Sequence, residues 1–302
     1  MKEIFKIALS LTVVCIAASL ILGAVFAKTE KVRKDNQEKE EAEIVQSLLG
    51  YGHDKKAPGD LKVYAVYRYV IKDAKGGTLL GYLLPLKEKG YVLAEIDLTG
   101  KPGKVYPVDA DAARVAEKAT RDAAVNGVLP QGAKATYAQT LYVANLGDKR
   151  LGYVIEGRTQ GFKTFIELMV SLDPAFTLNG IAVVKHEEDP GLGAEIVQDY
   201  FKNQFIKKPL DVVKNLKVVK EPIPDDYLTV LEPAKLKVSG LSEDKIREIK
   251  DKHLKDDIYA LTGATISTRA LTNGVVDTVR KFVYRIDILS DAVRKENIQV
   301  AF

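Results

Sequence analysis

The segment Leu261–Ile286 reads LTGATISTRALTNGVVDTVRKFVYRI, with a polar start and an apolar continuation. Its apolar residues recur at helical spacing in the order Leu271, Val275, Val279 and Phe282, which predicts a helix that begins near Thr268. The hydroxyl side chains around the small pair Gly263-Ala264 are Thr262, Thr265, Ser267 and Thr268. Free backbone amides at a helix start, with several hydroxyls and no bulky neighbour, predict a phosphate site. The alternative is a helix N-cap, for which one hydroxyl is enough.

A second unusual segment, HEEDPGLGAEI, extends from His186 to Ile196. Pro190 precedes two glycines, Gly191 and Gly193, which flank Leu192, so the loop backbone can approach a ligand closely. The alternative is an ordinary turn between a strand at Ile181–Val184 and a helix at Ala194–Phe205.

The composition restricts the chemistry of this chain. Of its 302 residues, 46% are hydrophobic and 28% charged, as in an ordinary globular protein, and the formal charge of +4 is too small to indicate nucleic-acid binding. The single cysteine, Cys15, excludes disulfides within the chain and cysteine-ligated iron–sulfur clusters. The histidines (His53, His186 and His253) are far apart in sequence, which disfavours zinc. Redox chemistry would therefore need an organic cofactor, and no metal ligands are predicted.

The N-terminal stretch Ile7–Ala27 carries no charge and is long enough, as a helix, to cross the hydrocarbon core of a membrane. We predict a transmembrane anchor over residues 1–28. The alternative is a cleaved signal peptide that ends at Val25-Phe26-Ala27. Basic residues after the span would place the remainder in the cytoplasm, but acidic residues in the same segment and the size of the following domain weaken that rule.

The rest of the chain predicts an α+β fold in several parts. A polar juxtamembrane helix over residues 29–50 ends at Gly50. A β-rich accessory unit over residues 51–130 contains strands at Val63–Ile71 and Tyr91–Leu98 and a helix at Ala110–Asn126. Residues 131–290 form a second unit with a charged insertion at about 211–255, followed by a C-terminal tail over residues 291–302.

The two β-rich stretches resemble each other. Leu80-Gly81-Tyr82 and Gly90-Tyr91 recur 71 residues later as Leu151-Gly152-Tyr153 and Gly161-Phe162. Predicted turns at Lys101-Pro102-Gly103 and Asp173-Pro174 follow. These matches indicate a degenerate duplicated β-unit, and the alternative is coincidence between two hairpins of common composition.

TGATIST (Thr262–Thr268) resembles the flavinylation motif of the FMN-binding domain family, found in the Rnf and Na⁺-translocating NADH:quinone oxidoreductase complexes. HEEDPGLGAEI resembles the companion loop of that domain, and Gly161–Asp173 and Gln198–Phe205 are also similar to it. The likeness covers roughly residues 136–286. With the N-terminal span included, the chain most resembles the G-subunit family of Rnf complexes. The C subunit of the sodium pump is the second most similar.

The resemblance implies FMN attached through its phosphate to Ser267, where the family usually has threonine; Thr268 is the alternative acceptor. It places Thr262 and Thr265, beside Gly263 and Ala264, at the phosphate or the acceptor. It also implies that Glu188, Gly191, Leu192 and Gly193 contact the flavin. Asp189 stands where the family usually has threonine, a departure that bears on a hydrogen bond to the flavin.

The implied function is electron relay by covalently bound FMN, with no catalytic residues and no substrate turnover of its own. The implied partners are the other membrane subunits of an Rnf-type complex and an FAD:protein FMN transferase. Since that transferase acts outside the cytoplasm, the soluble part is expected on the periplasmic side of the inner membrane, behind a single span. The alternatives are a free-standing extracytoplasmic flavin carrier and a flavin-free anchored assembly protein.

Overall fold

The computed structural model of this protein describes residues 2–52 and 55–302, so His53 lies outside the described residues. The chain divides into two units, one that ends at Ser47 and one from Leu48 to Phe302.

The described part of the first unit lies in a single helix, α1 (Lys2–Leu48), whose last residue belongs to the second unit. Its Lys2–Glu30 portion, 29 residues, is long and apolar enough to cross a membrane by length and composition. The predicted anchor and the predicted juxtamembrane helix therefore lie in one uninterrupted helix. Gly50, just after its end, has a φ of 85°, a conformation that favours glycine and commonly follows a helix.

The second unit is built on an eight-stranded antiparallel sheet. Its strands, in chain order, are β1 (Leu61–Lys72), β2 (Thr78–Pro85), β3 (Tyr91–Asp97), β4 (Pro102–Val108), β5 (Lys134–Leu146), β6 (Lys149–Gln160), β7 (Phe165–Leu172) and β8 (Leu178–Lys185). Their order across the sheet is β4-β3-β2-β1-β5-β6-β7-β8. Two consecutive four-stranded meanders thus meet edge to edge at β1 and β5. A separate short parallel pair contains β9 (Val218–Val219) and β10 (Ile258–Tyr259).

The turn predicted at Lys101-Pro102-Gly103 is wrong, because Pro102 and Gly103 lie in β4. The chain reverses instead at Asp97, whose carboxylate accepts hydrogen bonds from the amides of Thr99 (2.8 Å) and Lys101 (2.9 Å). Asp173 closes the matching turn in the second meander by the same pattern of side-chain contacts. The two aspartates are 76 residues apart, so the spacing of 71 is not kept throughout.

Nine α-helices occur in the described ranges, α1 and eight that surround or follow the sheet: α2 (Ala112–Ala116), α3 (Lys118–Gly127), α4 (Asp199–Lys202), α5 (Leu210–Val213), α6 (Asp225–Leu231), α7 (Pro233–Val238), α8 (Glu243–Lys252) and α9 (Thr265–Lys295). The single helix predicted at Ala110–Asn126 is wrong, since Glu117 is extended (φ −75°, ψ 123°) and separates α2 from α3. The helix predicted at Ala194–Phe205 is also wrong: an extended Gln198 (ψ 147°) separates a 3₁₀ turn at Gly193–Val197 from α4, and a second 3₁₀ turn occupies Asn203–Phe205.

Helix α9 covers one face of the sheet and contacts β6 most extensively. The predicted apolar positions Leu271, Val275 and Val279 are fully buried there, and each contributes about 1.5–3 kcal/mol by leaving water. The helix comes close because a Cβ on Gly274 would lie 2.9 Å or less from Thr159 of β6. The smaller core on the opposite face lies beneath α3 and contains Tyr69, Leu83 and Leu93 among others.

The predicted insertion at 211–255 contains most of α5 and all of α6, α7 and α8, with a small core of its own centred on Tyr227, Leu231 and Ile249. The ammonium group of the buried Lys208 anchors its end by donating to the carbonyls of Leu254 (3.1 Å) and Asp256 (2.6 Å). Burial lowers the pKa of Lys208 to about 8.

We expect Gly274→Leu to lower the free energy of unfolding by about 1–3 kcal/mol or more, because the new side chain pushes α9 away from β6. Since the chain has no tryptophan, urea denaturation followed by circular dichroism is the suitable measurement. The neighbouring exposed Asn273→Leu is the control. Equal stability of both variants would contradict the close helix–sheet contact.

Candidate functional site

The helix that carries TGATIST begins earlier than predicted. It starts at Thr265 rather than near Thr268, since Ala264 (φ −128°, ψ 36°) is its N-cap and the Thr268 amide already donates to the Ala264 carbonyl at 3.0 Å. The Thr268 hydroxyl is therefore inside the helix rather than capping it. Ser267 consequently lies in the first turn of α9, where unpaired backbone amides and the helix dipole favour negative charge.

The centre of the site is a contact between Ser267 and Glu188. The Ser267 hydroxyl donates to Oε2 of Glu188, and both residues are buried. These two residues are 79 positions apart in the sequence. The contact joins the first turn of α9 to the loop that follows β8.

The other carboxylate oxygen of Glu188 is held by the loop between β6 and β7. It accepts hydrogen bonds from the amides of Phe162 (2.9 Å) and Lys163 (3.4 Å). The carboxylate fits only because two glycines flank it: a Cβ on Gly193 would lie 2.8 Å from Oε2, and one on Gly161 would lie within 3.0 Å of Oε1. Gly193 would also collide with Ser267 Oγ if it carried a side chain. A buried carboxylate with this many donors is a built feature of the fold.

The hydroxyl of Thr268, the alternative acceptor, forms its hydrogen bonds with backbone groups at the start of α9. This buried hydroxyl donates to the Ala264 carbonyl at 3.0 Å and accepts from the Leu261 amide at 3.2 Å. Both contacts lie within the turn that positions Ser267. The geometry thus gives the two neighbouring hydroxyls different surroundings: Ser267 faces a carboxylate and Thr268 faces the backbone.

The remaining predicted residues lie in the loop after β8 and in the turn at the start of α9. Gly191 and Gly263 both have a positive φ, 72° and 75°, which favours glycine at these turns. A Cβ on Gly263 would lie 3.0 Å from Leu192, whose side chain is about half exposed. The segment His186–Ile196, called the glycine loop from here on, is therefore in contact with the TGATIST turn. Thr262 is exposed and Thr265 half-buried. Among the described residues neither forms a hydrogen bond to Ser267 or Glu188, and their predicted role at the phosphate stays a prediction.

Asp189, where the resembling family has threonine, forms an ion pair with Lys163. The hydrogen bond and charge of Asp189 raise the pKa of Lys163. Both side chains are partly exposed, so the pair adds little stability. It gives the glycine loop a second connection to the β6–β7 loop, beside that made by Glu188.

Sequence reasoning missed the part played by the β6–β7 loop. In the sequence, Gly161-Phe162 stands out as a repeated dipeptide and as the start of a segment similar to the family, but nothing local indicates that amides of this loop bind a carboxylate 26 residues away. Three large apolar side chains near the Glu188–Ser267 contact are exposed. Phe162 donates its amide to Glu188, Leu192 lies beside Gly263, and Ile266 directly precedes Ser267. Exposed apolar side chains near a buried hydroxyl at a helix N-terminus suit a ligand that has an apolar body and a phosphate.

Neither histidine in the described ranges is arranged as a metal ligand. His186 Nδ1 accepts from the Glu188 amide at 3.2 Å, and His253 Nδ1 lies 2.6 Å from Asp256 Oδ2. In the part of the chain that the structure describes, no group of three or more His, Cys, Asp or Glu side chains is placed to hold a metal ion.

Residues 161–280 match the family described as the FMN-binding domain. The resemblance inferred from the sequence is confirmed for this segment, which contains every residue of the site. The β6–β7 loop, the glycine loop and the first turn of α9 all lie within the residues that match this family.

Two relatives are similar over nearly the same length. One, 31% identical over 140 residues, is the G subunit of the proton-translocating ferredoxin:NAD(+) oxidoreductase complex of Clostridium ljungdahlii; the match covers 46% of this chain and 58% of that protein. The other, 24% identical over 139 residues, is the G subunit of the Na(+)-translocating ferredoxin:NAD(+) oxidoreductase complex of Acetobacterium woodii, with coverages of 45% and 51%. The chain therefore spans just over half the length of these relatives.

A solved structure, that of NqrC from Shewanella oneidensis, is similar with a TM-score of 0.45 and 17% sequence identity, over 84% of this chain and 99% of that one.

We expect Thr268→Val to lower the free energy of unfolding by about 1–3 kcal/mol, because the buried Leu261 amide loses its acceptor while the side-chain shape is kept. Thr268→Ser keeps the hydroxyl and should lose less. The two variants can be compared by urea denaturation followed by circular dichroism. A valine variant as stable as the serine variant would exclude this role for the hydroxyl.

Proposed function

We propose that this chain carries FMN joined to Ser267 by a phosphoester. The observation that carries the proposal is the buried Ser267 hydroxyl, which lies in the first turn of α9 and donates to the Glu188 carboxylate within the FMN-binding domain. A phosphate at this position is stabilised by the amides and dipole of the helix start. Gly193 leaves the room beside Ser267 that a larger residue would occupy.

The attachment reaction needs a nucleophile and a proton acceptor, and the site provides both. In transfer from FAD, the Ser267 oxygen bonds to the phosphorus of the FMN moiety, the bond between the two phosphates breaks, and AMP leaves. The hydroxyl proton passes to Glu188 Oε2, with which it is already in contact. The amides of Phe162 and Lys163 keep the carboxylate oriented during this step. The transferase that binds FAD and catalyses this attachment is a separate protein.

Bound FMN supplies the electron-transfer chemistry, and the chain holds and surrounds it. The exposed Phe162, Leu192 and Ile266 offer apolar surface for the flavin ring system. Gly191 lets the backbone of the loop lie close to it. A covalent link keeps the cofactor in place through repeated reduction and oxidation.

In the cell, the proposed role is that of a membrane-anchored electron-transfer subunit in an Rnf-type ion-translocating oxidoreductase complex. The names of the two relatives support it, and the apolar Lys2–Glu30 portion of α1 supplies an anchor. The proposed partners are the other membrane subunits and an FAD:protein FMN transferase. We place the soluble part on the periplasmic side, where such a transferase acts.

With an active transferase co-expressed, we expect the denatured wild-type protein to give a flavin-fluorescent band on an electrophoresis gel under ultraviolet light. Ser267→Ala should give a dark band, because it has no nucleophilic oxygen. Ser267→Thr, which restores the hydroxyl usual in the family, should remain fluorescent. Thr268→Ser is the matched control for the neighbouring position and should also remain fluorescent.

The positive control is a second protein that the co-expressed transferase is known to flavinylate. A dark wild-type band beside a fluorescent control band would exclude covalent FMN. A fluorescent Ser267→Ala band would move the attachment to another residue.

We expect Glu188→Gln to slow flavin incorporation by about 10²-fold, since an amide is a poor proton acceptor but fills the same space. Initial rates can be followed by the mass increase of the intact chain. The exposed neighbour Glu187→Gln is the control and should react at the wild-type rate. Equal rates for both variants would mean that Glu188 only positions the loops.

A further inference from the structure

The glycine loop carries a run of acidic side chains beside the proposed attachment site. Glu187, Glu188 and Asp189 follow one another in the chain, and Glu188 is the one in contact with Ser267. A phosphate joined to Ser267 adds another negative charge next to the Glu188 carboxylate. Like charges held together in a partly buried place repel each other, so the attached phosphate needs a cation close by.

Lys163, in the loop between β6 and β7, supplies a positive charge to this loop. Its ammonium group forms an ion pair with the Asp189 carboxylate. Over residues 2–52 and 55–302, no other Lys or Arg side chain forms an ion pair with the glycine loop. The hydrogen bond and charge of Asp189, followed by the charges of Glu188 and Glu187, raise the pKa of Lys163. The ammonium group therefore already interacts with all three carboxylates.

The backbone of Lys163 lies close to Ser267. The Lys163 amide donates to Oε1 of Glu188 at 3.4 Å, and the Ser267 hydroxyl donates to Oε2 of the same carboxylate. Two hydrogen bonds and the width of one carboxylate separate the amide from the hydroxyl, a distance of roughly 8 Å at most. The flexible four-carbon stem of a lysine spans most of that distance. Since the side chain is 48% exposed, it has room to turn from Asp189 towards a phosphate on Ser267.

The other basic side chains near the site in sequence are directed differently. Arg269 follows Ser267 by two residues, about 200° around a helix, so it lies on the opposite side of α9, where it is exposed. Lys185, at the end of β8, lies opposite Glu167 in the register of β7 and β8. These positions leave Lys163 as the cation that meets the phosphate.

We propose that Lys163 binds the phosphate of the attached FMN, and that Asp189 holds its ammonium group beside the site until the phosphate arrives. The inference rests on the proposed attachment of FMN to Ser267. During that reaction Glu188 takes the Ser267 proton, and once this proton has passed to water the carboxylate and the phosphodiester lie side by side. Lys163 then offsets the added charge through a charge-assisted hydrogen bond. Asp189, which stands where the resembling family has threonine, competes with the phosphate for the same cation.

The test compares the two partners of the ion pair, because a simple link between the loops predicts the same effect for both. With an active transferase, flavin attachment to the full-length chain is followed by intact mass. We expect Lys163→Met to slow attachment about fivefold or more and Lys163→Arg to stay within about twofold of the wild type. Asp189→Asn should react as fast as the wild type or faster, since it frees Lys163. Lys149→Met removes an exposed lysine at the other end of β6 and should react at the wild-type rate.

A second measurement distinguishes a contact with the phosphate from a contact with the transferase. The melting temperature of each variant is measured with and without attached flavin, in the absence of the transferase. Lys163→Met should lower the melting temperature of the flavin-bearing protein by more than that of the flavin-free protein, and high salt should reduce this difference.

Three results would each overturn the proposal: a wild-type rate for Lys163→Met, equal slowing by Lys163→Met and Asp189→Asn, or equal losses of melting temperature in the two forms. A wild-type chain that takes up no flavin would instead overturn the attachment to Ser267, and this inference with it.

Discussion

The close packing of α9 on β6 determines where the site lies. Gly274 allows the helix to approach Thr159, and Gly157 of β6 in turn allows Thr278 to lie against the strand. Ser267 precedes Gly274 by seven residues, two helical turns, so both lie on the same side of the helix. The surface that meets the sheet is therefore also the surface that turns Ser267 towards Glu188. A larger residue at Gly274 would move the hydroxyl as well as the helix.

Glu188 then joins three segments that are distant in sequence. Burial of a carboxylate is unfavourable unless it is fully hydrogen-bonded, and here the Ser267 hydroxyl and the amides of Phe162 and Lys163 meet that need. Loss of any one segment leaves the carboxylate short of a donor. The same carboxylate thus fixes the loops and provides the proton acceptor of the proposed attachment reaction. Structural and chemical roles coincide in one side chain.

The sequence predicted the features that depend on neighbouring residues. Helical spacing from Leu271 to Phe282 and the loop character of Pro190-Gly191 are local properties, and the structure has both. The break at Glu117 and the turn at Asp97 were missed because helix and strand patterns reveal neither one extended residue between two helices nor a side chain that accepts hydrogen bonds from the amides of its own turn. Contacts over long separations, such as that between Ser267 and Glu188, result from the pairing of β6 with β7 and of β7 with β8 and have no local signal.

In the sheet, the two copies of the predicted duplicated unit correspond to the two four-stranded meanders. The two meanders meet at β1 and β5, and Arg68 and Gln139, which pair across that junction, are separated by the same 71 residues as the sequence repeat. Two antiparallel strands are related by a local two-fold axis. If the unit was duplicated, equivalent residues of the two copies pair with each other where that axis crosses the junction. The meanders then differ in the segments after their fourth strands: α2 and α3 come after β4, and the glycine loop comes after β8. If the unit was duplicated, the flavin site arose by change at the end of one copy, while the junction kept an arginine in one copy and a glutamine in the other.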